Sequence, residues 1–449
     1  MRAVPLTSET SPADAPTVAI ETQGCKLNQA DSSVLSWRFA EAGFRVVPPA
    51  ESADVHVLNT CTVTHIADRK ARQALRALRR RNPDATIVAT GCYPQRSPQD
   101  LETMQEIDLV VGNTGKETLV RQVLEWRGQA PVPCAVGAES DAFSPRVART
   151  RAMVKIQEGC DQVCAYCIVP KVRGRERSIP PQRIIDEING YFDRGYNEVV
   201  LTGTQLGSYG FDLPEMTLAR LLERVLSETN VPRVRVSSLQ PQEIGPQLLG
   251  LWEDSRLCPH FHLPLQSGSD RVLSRMRRRY TGALYTETVG VVRQNVPDVS
   301  ITADVIVGFP GETDEEFQQT YDLCRRTGLA GVHVFPYSVR PGTGATHLDG
   351  RVTPEVKTTR MQAMLDLSKD QAAGFKTRFL GKVRPVLWEE VRENGGSGLW
   401  SGLTDNYIRV LGHSHTSLTG RITPARLSTL QDGSVYAQVI EGPTAHTRG

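Results

Sequence analysis

Glu158-Gly159-Cys160-Asp161-Gln162-Val163-Cys164-Ala165-Tyr166-Cys167 follows directly on a strand-like apolar run, Met153–Ile156. Its three cysteines are separated by three and then two residues. That is too tight for a disulfide framework and one ligand short of a closed four-thiolate zinc site, with no nearby Cys or His at finger spacing. Three thiolates can hold three corners of a cubane iron–sulfur cluster and leave the fourth iron open for a ligand from elsewhere. The blander reading, buried cysteines that happen to cluster, does not account for the spacing.

Around this stretch the chain alternates strands and helices. Strands are expected at 153–157, 198–202, 233–238, 260–263, 302–307 and 331–336, with helices at 181–194, 218–228, 245–254, 283–294 and 313–326. Six βα units predict an open, partial barrel of parallel strands over residues 150–379, with the site at the carboxyl ends. Those ends carry the cysteine motif, Gly203-Thr204-Gln205, Ser237-Ser238, Gln266-Ser267-Gly268-Ser269 and Gly308-Phe309-Pro310-Gly311-Glu312. A last long helix is expected at 354–378.

Upstream, strands at 18–22, 55–59 and 87–90 alternate with helices at 33–42 and 67–81, predicting a parallel α/β domain over 17–134. Each strand runs out into a cysteine: Cys25, Cys61, Cys92. In a parallel sheet the carboxyl ends open on one side, so the alternation gathers three thiols at one edge, flanked by Asn28 and Asn59. Downstream, short alternating runs punctuated by Gly, Asn and Asp predict a small β-barrel of the oligonucleotide-binding kind over 380–443. Residues 1–16 read as a disordered lead and 135–149 as a linker. Cys134, Cys258 and Cys324 have no partners at ligand spacing and read as structural.

The chain has 449 residues, a net charge of +2 and no apolar run approaching a membrane span. Any affinity for nucleic acid must therefore come from local clusters. Two are present, Arg69–Arg81 and Arg275–Arg279. The terminal segment 378–449 is only mildly basic, with 8 Lys/Arg against 6 Asp/Glu. Its aromatics Trp388, Trp400 and Tyr407 could stack bases, although packing is their commoner fate. Nine cysteines without a secretion signal point to a reducing, cytoplasmic setting, where patterned cysteines serve metals or catalysis.

The cysteine motif at the first strand exit resembles the radical S-adenosylmethionine superfamily. The whole chain from about 17 to 441 resembles its methylthiotransferases. Thr22-Gln23-Gly24-Cys25-Lys26-Leu27-Asn28, Asn59-Thr60-Cys61-Thr62-Val63-Thr64 and Thr90-Gly91-Cys92 carry the likeness. The resemblance implies three domains: an N-terminal methylthiotransferase domain, a radical domain and a terminal TRAM barrel. It implies two 4Fe–4S clusters, the first on Cys160, Cys164 and Cys167. There, S-adenosylmethionine is cleaved to a deoxyadenosyl radical, and a second molecule donates the methyl group. The second cluster, on Cys25, Cys61 and Cys92, delivers sulfur. Gly203, Thr204, Gln205, Ser237 and Gln266 are expected at the S-adenosylmethionine site, with Arg173, Arg175 or Arg177 on its carboxylate; Arg173 is the first choice.

Gly24–Asn28, Met276–Thr281 and His333–Thr343 look most like the branch that methylthiolates carbon 2 of threonylcarbamoyladenosine beside the tRNA anticodon. The isopentenyladenosine branch is the nearest rival. A non-catalytic iron–sulfur RNA-binding sensor is the alternative from another class. Expected partners are a tRNA anticodon loop, an electron donor such as a flavodoxin or ferredoxin, and a sulfur source, with no membrane.

Overall fold

The computed structural model describes residues 15–129, 150–393 and 398–440. Cys134, the linker, most of the lead and residues 441–443 lie outside them. The described residues form two units: 15–129 with Lys171–Arg173, and 150–170 with 174–440.

In the first unit, β1 (Thr17–Thr22), β2 (Arg45–Val47), β3 (Val55–Thr60), β4 (Thr86–Gly91) and β5 (Leu109–Gly112) form a parallel sheet in the order β2-β1-β3-β4-β5. The central strands β3 and β4 are buried along their whole length, as a sheet covered on both faces requires. Val55, Val57 and Val88 pack with Leu35 and Phe39 of helix α1 (Lys26–Glu41) and with Leu119 and Val123 of a later helix. The alternate residues Leu58, Ile87 and Ala89 meet Ala71, Leu75 and Leu78 of α2 (His65–Arg81) on the other face. The period of two along the strands thus divides the core between two helical layers. Helix α1 starts earlier than the apolar pattern predicts, with Cys25 as its N-cap residue. The short edge strands β2 and β5 were not expected. Too few residues alternate there to raise a signal.

In the second unit, β6 (Arg151–Lys155), β7 (Gln157–Glu158), β8 (Arg177–Ser178), β9 (Glu198–Thr202), β10 (Arg233–Val236), β11 (His260–His262), β12 (Ser300–Val307) and β13 (Gly331–Pro336) follow in order. Two three-stranded parallel sheets, β10-β9-β6 and β11-β12-β13, are joined by bridges Val234–Leu257 and Ser238–His262. The six long-range strands therefore run β6-β9-β10-β11-β12-β13, an open half-barrel with the expected six βα units. The pair β7-β8 is a small ribbon beside the cysteine loop.

The terminal segment closes into a barrel, with β14 (Val383–Glu393), β15 (Gly398–Thr404), β16 (Arg409–Ser414), β17 (Ile422–Gln431) and β18 (Ser434–Val439) in the order β14-β15-β16-β18-β17. Trp388 is its fully buried centre and donates from Nε1 to Thr423 Oγ1 at 2.8 Å. A side-chain carbon at Gly402 or Gly412 would lie 2.8 or 2.7 Å from the Trp388 ring, so these glycines make room for the indole.

This barrel is fused to the amino ends of the half-barrel. Arg233 and Arg235 share the buried carboxylate of Glu198, with Arg235 Nε at 2.8 Å. Arg233 also donates to the carbonyls of Leu403 and Pro385, and Arg235 to that of Asp405. Tyr407 stacks on His260 with centroids 4.1 Å apart, and the Arg235 guanidinium lies 5.0 Å from the Tyr407 ring centroid. Trp388, Trp400 and Tyr407 are all consumed in packing, so none is presented for base stacking. The Arg233 and Arg235 bonds to barrel carbonyls and the Tyr407 stack on His260 pack the expected second and third domains into a single unit. The carboxyl ends of the half-barrel remain at the opposite edge.

Candidate active site

The first unit presents its cysteines at the carboxyl ends of three neighbouring strands. Cys61 follows β3 and Cys92 follows β4 directly; Cys25 lies three residues beyond β1. Gly24 has φ +103°, and a side-chain carbon there would lie 2.6 Å from Cys61 Cβ. Only glycine lets the Cys25 turn come this close to Cys61. Asn28 donates from Nδ2 to the carbonyls of Gln23 and Thr60, and Asn59 donates to the Asn28 carbonyl and to Ser32 Oγ. These bonds tie the β1 and β3 exits together, and Thr60 Oγ1 donates to the Thr90 carbonyl of β4 at 2.7 Å. Burial pushes the Cys61 thiol up to about 11, with Cys25 and Cys92 adding to the rise. Asn113 Nδ2 lies 3.5 Å from Cys92 Sγ.

Arg173 does not take the expected place. Its segment belongs to the first unit, where Nη1 meets Asp31 Oδ2 at 2.6 Å and Nη2 donates to Asn28 Oδ1. Lys116 Nζ holds the same Asp31 oxygen at 2.7 Å. A guanidinium already bonded to a buried carboxylate is not available to a ligand's carboxylate. Arg175 and Arg177 are exposed and pair with Asp161 and Glu158.

In the second unit the motif cysteines follow β7. Gly159 has φ +78°, and a side-chain carbon there would lie 1.9 Å from the Arg175 carbonyl oxygen. Burial pushes the Cys160 thiol up to about 11 and Cys167 up to about 12. The strand-exit residues converge on the same loop. Gln157 Oε1 accepts from the backbone N–H groups of Thr204 and Gln205, both at 2.9 Å. Gln205 donates to Glu243, and Gln240 donates to Gln205 and to Gln162 within the motif. Arg278 donates from Nη2 to Gln240 Oε1 at 3.0 Å, and its Nη1 lies 3.5 Å from Cys164 Sγ. Burial opposes the Arg278 charge, but Tyr166, Tyr280 and Cys164 outweigh it and hold its pKa above the usual value.

Arg278 was expected on an RNA-binding run, which the structure splits. Arg275 turns inward onto the carbonyls of Pro310 and Gly311, Arg278 turns to the cysteines, and Arg277 and Arg279 face out. Helix α2 divides in the same way. Arg72 bonds to Tyr93 and Arg79 to Asp108, while Arg69, Lys70, Arg76, Arg80 and Arg81 are exposed. Gln157, Gln240 and Glu243 were not singled out by the sequence, and Arg278 only as part of a basic run, because each lies outside the strand-exit turns that composition marks. Gln266 adopts φ +64° and links β11 to β12, donating to the Asp304 carbonyl and accepting from Ile306 N–H. Cys258 and Cys324 are buried in the core, where burial pushes each thiol to about 12.

Thr204 Oγ1 and Ser237 Oγ are buried without a partner among the described residues. Two unmatched hydroxyls at adjacent strand exits, beside a web of amides and a buried guanidinium, fit a polar ligand with amine and carboxylate groups such as S-adenosylmethionine. The donor set of each cysteine triad fits iron. A zinc ion with sulfur ligands at about 2.3 Å would draw its thiolates to about 4 Å from one another. Among the described residues, the group of three ligand atoms lying within 4.8 Å is His262, Asp304 and His333, and neither cysteine triad meets that spacing.

Residues 154–324 match the Radical SAM superfamily, and residues 17–112 match the Uncharacterized protein family UPF0004. Among solved structures, the radical S-adenosylmethionine methyltransferase TsrM from Kitasatospora setae superposes with a TM-score of 0.54 at 14% identity, covering 74% of this chain and 77% of that one. The half-barrel is therefore a radical S-adenosylmethionine fold, the class that works with an iron–sulfur cluster and S-adenosylmethionine. Several curated relatives carry the name threonylcarbamoyladenosine tRNA methylthiotransferase MtaB. That of Bacillus subtilis is 36% identical over 92% of this chain and 93% of its own length; that of Aquifex aeolicus is 39% identical over 88% and 96%. A tRNA-2-methylthio-N(6)-dimethylallyladenosine synthase of Moorella thermoacetica is 34% identical over 95% and 99%. The chain belongs to the radical S-adenosylmethionine tRNA methylthiotransferase family. No helix among the described residues is long and apolar enough to cross a membrane.

Proposed function

We propose that this enzyme adds a methylthio group to carbon 2 of threonylcarbamoyladenosine beside the anticodon of tRNA. The observation that carries the reading is the pair of cysteine triads at strand exits, in a chain three of whose relatives, matched over 93–98% of their own length, bear that name at 34–39% identity. Cys160, Cys164 and Cys167 hold one 4Fe–4S cluster, and Cys25, Cys61 and Cys92 hold a second. When bound, these clusters and S-adenosylmethionine supply the hydrogen abstraction and the methylthio group.

The chain supplies placement. Gly203, Thr204, Gln205 and Ser237 offer the methionine end of S-adenosylmethionine backbone groups and two unmatched hydroxyls. Arg278, 3.5 Å from Cys164 Sγ, rather than Arg173, is the cation that holds the methionine carboxylate. Gln157 and Gln240 fix the turn, so orientation is set before reaction. In the first unit, Asn28 and Asn59 hold the β1 and β3 exits that carry Cys25 and Cys61 of the sulfur-delivering triad. The exposed arginines of α2 in the first unit suit RNA phosphates, and so, separately, does the pair Arg277 and Arg279 in the second. An electron donor such as a flavodoxin or ferredoxin and a sulfur source complete the cycle.

Nucleoside mass spectrometry of tRNA from a deletion strain tests the target. Loss of the methylthio-threonylcarbamoyl nucleoside is expected, and loss of the methylthio-isopentenyl nucleoside alone would overturn it. The division of labour is tested with purified enzyme. Cys164→Ala should abolish deoxyadenosine release, whereas Cys25→Ala should keep S-adenosylmethionine cleavage and stop thiolation. A chain that never releases deoxyadenosine under reduction would instead be a non-catalytic iron–sulfur RNA sensor.

A further inference from the structure

The inner face of the half-barrel carries a polar cluster that the cofactor sites do not use. Along β12, Ile301, Ala303, Val305 and Val307 are at most 1% exposed, whereas Asp304 between them keeps 28% of its side chain exposed. The apolar set belongs to the helix-covered side. Asp304 and Thr302 therefore point to the open side, because successive residues of a strand face opposite ways. The parallel register sets His262 of β11 beside Thr302, and His333 of β13 beside Asp304. His262 Nε2 lies 3.1 Å from Asp304 Oδ2, and its Nδ1 lies 2.9 Å from Thr302 Oγ1. One ligand-capable atom from each of His262, Asp304 and His333 lies within 4.8 Å of the others. The Gln266 backbone bonds to the Asp304 carbonyl, which places the cluster just below a strand exit of the cofactor edge.

We propose that Asp304 and His333 read the polar substituent on N6 of the adenosine substrate. The inference rests on the threonylcarbamoyl reading above and deepens it. That substituent offers urea N–H donors and a carboxylate. Asp304 can only accept, and His262, braced by Thr302, fixes its orientation. His333 is exposed at the edge strand and offers a ring N–H to the carboxylate. The pair thus supplies one acceptor and one donor in matching order. An isopentenyl group carries neither an N–H nor a carboxylate, so it gains no polar contact from Asp304 or His333 and would strip water from both. Asp304 and His333 are specificity residues, and His262 is a positioning residue.

The test uses full-length enzyme with its clusters reconstituted and two synthetic anticodon stem-loops, one bearing threonylcarbamoyladenosine and one isopentenyladenosine. Wild type should prefer the first. His333→Phe should lower kcat/KM for it by about tenfold or more, the scale of a lost charge-assisted hydrogen bond, mostly through KM, with little loss on the second substrate. Asp304→Asn should lower the same ratio, and His333→Gln should restore part of it. Equal falls on both substrates would overturn the proposal, as would an unchanged ratio. So would one equivalent of zinc that wild type retains after dialysis and that His333→Phe and Asp304→Asn both lose, because the cluster would then be a metal site. A wild type inactive on the threonylcarbamoyl substrate would sink the functional reading itself. An active wild type with unaltered variants would sink only this inference.

Discussion

Replacing Asp31 by Asn should loosen the first unit far more than one side chain's worth of contacts suggests. Asp31 is the shared counter-ion of Lys116 and Arg173, at 2.7 and 2.6 Å, and side-chain exposure is 3% for Asp31, 10% for Lys116 and 3% for Arg173. The substitution keeps the shape and removes the charge, leaving two buried cations facing each other. Removing one partner of a buried ion pair costs about 3–5 kcal/mol. Lys116 can relieve its share. Its pKa is already lowered by burial, partly offset by Asp31, and without that carboxylate it gives up its proton more readily. Arg173 has no such exit, because a guanidinium stays charged. The lower end, about 3 kcal/mol, is therefore expected, which is roughly a 150-fold shift in a local opening equilibrium.

Hydrogen exchange read by mass spectrometry measures this directly. Amides of α1 and of residues 113–126 should exchange about 100-fold faster in Asp31→Asn. The helix Leu218–Glu228 of the other unit is the internal control. Acceleration below about tenfold would refute the claim that Asp31 carries two buried cations. Equal acceleration in the control helix would also refute it, because the effect would then be global. Adding Lys116→Met to Asp31→Asn should recover part of the protection, since one stranded cation is removed.

Gly24→Ala forces a side-chain carbon to 2.6 Å from Cys61 Cβ at φ +103°. Iron analysis should fall from about eight to about four atoms per chain, while S-adenosylmethionine cleavage persists. Arg278→Met removes the cation 3.5 Å from Cys164 Sγ. Potentiometry followed by electron paramagnetic resonance should show the radical-site cluster harder to reduce, by on the order of 100 mV. Glu187 is pushed by burial from 4.5 up to about 7, with Lys155 and Arg183 opposing the rise. The folded state thus binds this proton more tightly than the unfolded one, and the stability it brings is lost as pH rises from 4.5 through 7. Glu187→Gln should stabilise the protein at pH 8 by up to about 3 kcal/mol and have almost no effect at pH 4, by thermal melts at both pH values.

The one-dimensional pattern determined the local chemistry and the layer order. The spacing of Cys160, Cys164 and Cys167 is a contact between near neighbours, so no fold is needed to see it. The alternation of strands and helices places every strand exit on one edge, and that rule alone gathered Cys25, Cys61 and Cys92 from positions far apart in the chain. Alternation of period two likewise marked the terminal barrel. What alternation does not encode is the partner of a long side chain. Arg173 and Arg278 look alike as letters in two basic stretches, yet one is fixed by Asp31 and Asn28 and the other reaches Cys164. The same holds for Trp388 and Tyr407, which became core and inter-domain packing because the closed barrel and the Glu198–Arg235 pair surround them. His262, Asp304 and His333 show the limit most plainly. Each is an ordinary polar residue in its own strand, and only the parallel register of β11, β12 and β13 sets them side by side, because long-range strand pairing fixes what local propensity leaves open.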